Sequence, residues 1–94
     1  MKSILIVDDE ISIRQSLEGI LEDEGFQTLF AATGEECLTL LQTESPDLIL
    51  LDIWMPGIDG LETLKKIKQT QPQQLVVMMS GHGSVSYTHL RAHE

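Results

Sequence analysis

Four short apolar runs alternate with stretches in which apolar residues recur every three or four positions. Ile4-Leu5-Ile6-Val7 is continuous, rich in β-branched residues and halted by Asp8, Asp9 and Glu10, the pattern of a strand buried on both faces. Ile13, Leu17, Ile20 and Leu21 then share one face of a helix, with Arg14, Gln15, Glu18 and Glu22 opposite. Gly25 stands where a left-handed helix cap belongs. A less regular strand is expected over 26–32. Thr33-Gly34-Glu35-Glu36 reads as a capping box, opening a short helix whose apolar face is Cys37, Leu38 and Leu41. Ser45-Pro46-Asp47 breaks that helix. Leu48-Ile49-Leu50-Leu51 is a third buried strand, terminated by Asp52. Turn formers fill 55–60, and Leu61, Leu64 and Ile67 mark a third helix that Pro72 ends. A fourth strand is expected from Leu75 to Met79.

The order is therefore β-α-β-α-β-α-β. Continuously apolar strands alternating with amphipathic helices imply a doubly wound parallel sheet covered on both faces. Neither an internal repeat nor a low-complexity linker interrupts it.

Composition narrows the function. The chain has 94 residues, 41% hydrophobic and 22% charged, which is ordinary for a small globular domain rather than for a disordered one. Its net charge of −9 argues against a phosphate-backbone binder, because nucleic acid requires a Lys/Arg footprint. Lys65, Lys66 and Lys68 stand close together and read as a solvated helix end. Cys37 is the single cysteine, so no intrachain disulfide forms; it reads as core. The start leads into only four apolar residues, too few for a leader or a membrane span. A cytoplasmic protein without membrane contact is the expectation.

The doubly wound class binds ligands at the carboxyl ends of its strands. Asp8 and Asp9 follow the first strand, Asp52 ends the third and Ser80 ends the fourth. With strand one beside strand three, the carboxylates converge on one edge. One acid after a strand is only loop polarity; several at one edge form a pattern. Like charges in a shared pocket must be protonated or neutralised by a cation. Hard oxygen ligands with room for waters and a phosphate suit Mg²⁺. A carboxylate can attack phosphorus to form an aspartyl phosphate, and the Ser80 hydroxyl could then donate to a phosphoryl oxygen.

At these residues the chain resembles a known family. The run from Ile4 through Asp8-Asp9-Glu10, the run Pro46-Asp47-Leu48-Ile49-Leu50-Leu51-Asp52-Ile53-Trp54-Met55-Pro56-Gly57-Ile58-Asp59-Gly60, and Met79-Ser80-Gly81-His82-Gly83 resemble receiver domains of two-component response regulators. The wording around Trp54 and His82 most resembles the nitrogen-regulation NtrX-like subgroup. The resemblance implies a flavodoxin-like sheet in the order 2-1-3-4-5. It implies Asp52 as phosphoacceptor, charged by a sensor histidine kinase. It implies Mg²⁺ on Asp9, Asp52 and the Trp54 backbone carbonyl, with Asp8 supporting through water. Ser80 becomes the switch hydroxyl, and Pro56 and Gly60 shape the loop beside the site. In the subgroup, the attached output modules are an ATPase and a DNA-binding helix-turn-helix.

The family pattern continues past a segment like Gly83-Ser84-Val85 with a fourth helix, a fifth strand and a fifth helix. A lysine before a proline ends that strand and contacts the phosphoryl group. Here no lysine follows Lys68 and no proline follows Pro72. The expectation is a partial receiver over 1–85 in the order 2-1-3-4, with the fifth strand and last helices missing. The tail 86–94 does not resemble the family and looks like translated sequencing adaptor. A missing cation at the phosphoryl site predicts weak or absent phosphotransfer. The alternative function is a non-functional receiver fragment or an interaction-only module. An aspartyl-phosphate phosphatase fits less well, because the haloacid-dehalogenase signature wants a second Asp where this chain has Trp54. His82 reads as a loop residue, and His89 and His93, four apart in the tail, are not expected to hold metal.

Overall fold

The computed structural model describes residues 2–55 and 57–79. Four strands, β1 (Ser3–Val7), β2 (Gln27–Ala31), β3 (Leu48–Asp52) and β4 (Val76–Met79), alternate with helices α1 (Ile11–Asp23), α2 (Gly34–Leu40) and α3 (Gly60–Thr70). The sheet order is β2-β1-β3-β4 and every pairing is parallel. The parallel sheet is the one the apolar pattern predicts, and its order is the flavodoxin-like one that the family resemblance implies. The family segments expected beyond β4, the boundary at residue 85 and the tail lie outside the described residues, as do Pro56, Ser80, His82, His89 and His93.

Alternation along the strands divides the apolar residues between two faces. Leu5, Val7, Ala31, Ile49, Leu51, Val76 and Met78 point one way and form a single core with Cys37 of α2 and Ile67 of α3. Leu38, Leu41 and Leu64 pack at its margin. Ile4, Ile6 and Phe30 point the other way, where α1 lies and the Arg14 guanidinium sits 6.0 Å from the Phe30 ring centre. This second layer is thinner. No residue of α1 is buried, and Leu48, Leu50 and Val77 on the same sheet face are only half-buried.

Local signals explain where the helices begin and end. Gly25 follows α1 with φ +92°, the left-handed geometry that favours glycine, and its N–H donates to the Glu22 carbonyl at 3.0 Å. The Thr33 side chain caps α2 by accepting from the Glu36 N–H at 3.1 Å. The reciprocal half of the box is shifted: the Glu36 carboxylate accepts from Ala32 rather than from Thr33, at 2.8 Å. Asp59 caps α3 by accepting from the Glu62 N–H at 2.9 Å, and α3 stops at Thr70, before Pro72.

Several expectations need correction. Asp52 is the last residue of β3, not its terminator. Leu75 precedes β4 and is 65% exposed. Leu61 is 55% exposed, and Thr63 takes the inward position on α3 because its hydroxyl can donate to the Asp59 carbonyl at 2.8 Å and so enter the core satisfied. Ile20 was expected on the inner face of α1 but is 60% exposed, because no described segment packs on that flank. Among the described residues, no helix is long and apolar enough to cross a membrane.

The two layers should differ in mutational cost. Leu51→Ala removes a fully buried side chain from the two-helix core and is expected to cost about 2–5 kcal/mol. Ile20→Ala should stay within roughly 0.5 kcal/mol, the usual range for a surface change. Urea denaturation of both variants checks this; equal losses would mean that α1 is packed more tightly than its exposure indicates.

Candidate metal centre

The register of the sheet builds the site. Val7 pairs with Leu51 across β1 and β3, so Asp8 and Asp52 emerge side by side at the carboxyl edge. Asp9 follows in the turn before α1. One carboxylate oxygen from each of Asp8, Asp9 and Asp52 lies within 4.8 Å of the other two. Asp8 and Asp52 are buried, at 2% and 5% exposure, while Asp9 is exposed. The pocket is therefore deep on two sides and open to solvent on the third.

Each buried carboxylate is oriented by a backbone N–H two residues on. Asp8 Oδ1 accepts from the Glu10 N–H at 2.9 Å, and Asp52 Oδ1 accepts from the Trp54 N–H at 3.2 Å. One backbone donor does not compensate for lost water. Burial pushes the Asp8 carboxyl above the ordinary carboxylate range, opposed by the Glu10 N–H, reinforced by the charges of Asp9 and Glu10, and opposed again by Arg14. Burial likewise raises Asp52, with the Trp54 N–H acting against it and the charges of Asp8, Asp9 and Glu10 adding to the rise. Hard oxygens held close, partly desolvated and mutually repelling form a donor set that fits a small divalent cation.

The loop after β3 is held by two close approaches. The Gly60 N–H donates to the Ile53 carbonyl at 2.9 Å, and a Cβ on Gly60 would collide with the Asp52 carbonyl oxygen. Gly34 at the start of α2 is as tight, since a Cβ there would meet the Thr63 hydroxyl and the Ile58 side chain. The Ile53 N–H donates to the Met79 carbonyl at 3.0 Å, tying the end of β3 to the end of β4. Trp54 projects its ring to solvent, 70% exposed.

The structure thus brings together Asp8, Asp9 and Asp52, with Trp54 beside them, as the sequence order suggested. Ser80 and Pro56 lie outside the described residues. The sequence pattern puts Glu10 among the acids that halt β1 and Arg14 on the polar face of α1, and both act electrostatically on the site. Their position in and beside the first turn of a helix that starts at the pocket mouth was the available signal. Nothing local marked Gly34, because its partner Thr63 is distant in the chain.

Comparison with known proteins agrees with this geometry. The family model for the response regulator receiver domain matches residues 4–92. The nitrogen assimilation regulatory protein NtrX of Azorhizobium caulinodans is 48% identical over 84 residues, covering 87% of this chain and 18% of that protein. The chain thus spans less than a fifth of that relative's length. The crystal structure of the response regulator protein TrrA from Thermotoga maritima in complex with Mg²⁺-BeF is similar at a TM-score of 0.81 and 39% identity, over 87% of this chain and 73% of that one. A structure of the histidine kinase ThkA in complex with TrrA is similar at a TM-score of 0.82 and 38% identity, over 98% of this chain and 75% of that one.

Two outcomes follow for the metal-free protein. Because the folded pKa values of Asp8 and Asp52 are raised, the folded state binds more protons than the unfolded state just above the ordinary Asp range. Their contribution to stability is full below a pH of about 4 and is lost as pH rises through the raised values. Asp52→Asn keeps an acceptor for Trp54 but removes one charge. At such separations a pair of charges repels by roughly 1–4 kcal/mol, so the variant should be more stable than the parent at neutral pH without metal. Thermal unfolding across pH in a chelator checks both; an Asp52→Asn protein that melts lower at neutral pH would contradict the repulsion. Gly60→Ala should cost about 1–3 kcal/mol, as overpacking does, in the same measurement.

Proposed function

The chain belongs to the response regulator receiver domain family, and on that premise we propose that it is a phospho-accepting switch of a two-component relay, taking a phosphoryl group from a sensor histidine kinase onto Asp52 with Mg²⁺ as cofactor. The observation that carries this reading is the convergence of Asp8, Asp9 and Asp52 at the carboxyl edge of a parallel sheet. Residues 1–85 form the receiver part in this reading. The output module of the longer parent, of the ATPase and DNA-binding kind, receives the signal.

Asp9, Asp52 and the Trp54 backbone carbonyl would hold Mg²⁺, with Asp8 supporting through water. When bound, the ion supplies positive charge against the phosphoryl oxygens. The protein's own contribution is positional. The Trp54 N–H occupies Asp52 Oδ1, and Oδ2 has no hydrogen-bond partner among the described residues. Oδ2 is the nucleophile: it attacks the phosphorus of phosphohistidine as the P–N bond breaks. The imidazole nitrogen keeps the bonding pair and takes up a proton. Burial of Asp52 keeps bulk water from one side of the acyl phosphate. Ser80, which follows Met79 in the chain, is the hydroxyl assigned to the phosphoryl oxygens by resemblance. Asp52 is charged once per signal, so the module is an acceptor rather than a turnover enzyme.

Two measurements test this. Mg²⁺ titration followed by Trp54 fluorescence should give a saturable change that Asp52→Asn weakens; Trp54 is the only tryptophan. A flat titration would mean that the pocket does not take the ion. A radiolabelled small phosphodonor should place label on the parent chain and none on Asp52→Asn, only with Mg²⁺ present. Equal labelling of both chains would assign the acceptor elsewhere.

A further inference from the structure

Among the described residues the sheet ends at β2, and part of its outer edge is open. In a parallel ladder, alternate residues of a strand bond the same neighbour. The Gln27 N–H donates to the Lys2 carbonyl at 2.9 Å, and the Ala31 carbonyl accepts from Asp8 at 3.0 Å. Gln27, Leu29 and Ala31 therefore face β1, and Thr28 and Phe30 turn their N–H and carbonyl groups outward. Neither outward pair has a hydrogen-bond partner among the described residues. Both ends of this window are closed by the protein itself. The Phe26 N–H donates to the Leu21 carbonyl at 3.0 Å, and the Ala32 N–H donates to the Glu36 carboxylate at 2.8 Å.

A groove runs along each side of the window, and both touch Phe30. On the α1 side a cavity of about 240 Å³ is lined by Ile11, Arg14, Gln15, Glu18 and Phe30. On the α2 side a cavity of about 390 Å³ is lined by Phe30, Glu35, Glu36, Thr39 and Leu40. An added strand would send successive side chains alternately into these grooves. The first offers Ile11 and a ring face. The second is lined by Glu35 and Glu36 together with Leu40, which suits a long basic side chain that sets its stem on apolar surface and its charge near carboxylates.

We propose that the outer edge of β2 at Thr28–Phe30 docks an extended segment of a partner protein in which aliphatic and basic residues alternate, added to the sheet as a further strand. The chemistry selects against a second copy of this chain. Among the described residues lining the two cavities or bonded to the edge, Glu18, Glu22, Glu35 and Glu36 stand against Arg14, and the chain carries a net charge of −9, so a copy would bring like charge to like charge. The short window also limits edge-to-edge pairing of copies.

The probe is a synthetic hexapeptide of alternating valine and lysine, in three forms: unmodified, N-methylated on the valine amides, and N-methylated on the lysine amides. All three carry the same charge. In an added strand only one of the two sets of amides faces β2. One methylated form should therefore bind at least tenfold more weakly, and the other should match the parent peptide. The parent peptide should protect the Thr28 and Phe30 amides from hydrogen exchange, and Glu35→Gln should weaken it. Equal binding of all three peptides, or protection elsewhere than Thr28 and Phe30, would overturn the proposal in favour of charge attraction alone. A peptide-insensitive dimer abolished by Thr28→Pro would overturn it in favour of self-pairing.

Discussion

Repulsion among Asp8, Asp9 and Asp52 is the constraint on which the rest of this structure depends. A parallel ladder sets Asp8 and Asp52 side by side, Asp9 follows in the next turn, and one carboxylate oxygen of each lies within 4.8 Å of the other two. Burial of two of them raises the electrostatic cost further. The fold tolerates this because the opposing core is well packed: Leu5, Val7, Ile49 and Leu51 are each fully buried directly behind the acids. A small divalent cation held among the three carboxylates would relieve the repulsion at its source.

The loop after β3 converts this charge cluster into a defined site. Asp52 and Trp54 are linked through one carboxylate oxygen, and the loop between β3 and α3 is drawn tight by Gly60 against the Asp52 carbonyl. The Gly34–Thr63 contact fastens α2 to α3 beneath that loop. Both contacts depend on the absence of a Cβ. Any shift of the Asp52 backbone would therefore be felt at the start of two helices, which is a physical route from Asp52 to the protein surface.

The two faces of the sheet are unequal in a way that bears on function. The face under α2 and α3 is a closed core, whereas the face under α1 leaves Leu48, Leu50 and Val77 half-buried. The better-buried face carries the loop that orients Asp52. The looser face carries Asp9, Glu10 and Arg14 at the start of α1, the side on which the pocket opens to solvent.

Much of the fold was legible in the chain because its strands are continuously apolar and its turns carry strong local signals. Ile4–Val7, Leu48–Leu51, the Thr33 cap and Gly25 each act over a few residues, and local physics decided them. The site was legible for a related reason: in a doubly wound sheet, an acid directly after a strand can only lie at the carboxyl edge. Tertiary structure alone decided the rest. Ile20 and Leu61 have the spacing of core residues yet stay exposed, because burial depends on whether another element arrives at that flank. Thr63 is buried although polar, because the Asp59 carbonyl happens to face it. The tight contact of Gly34 with Thr63 joins residues distant in sequence, and the open edge at Thr28 and Phe30 depends on what lies beside a strand. Periodicity reports which way a side chain points; only the assembled layers determine what it meets.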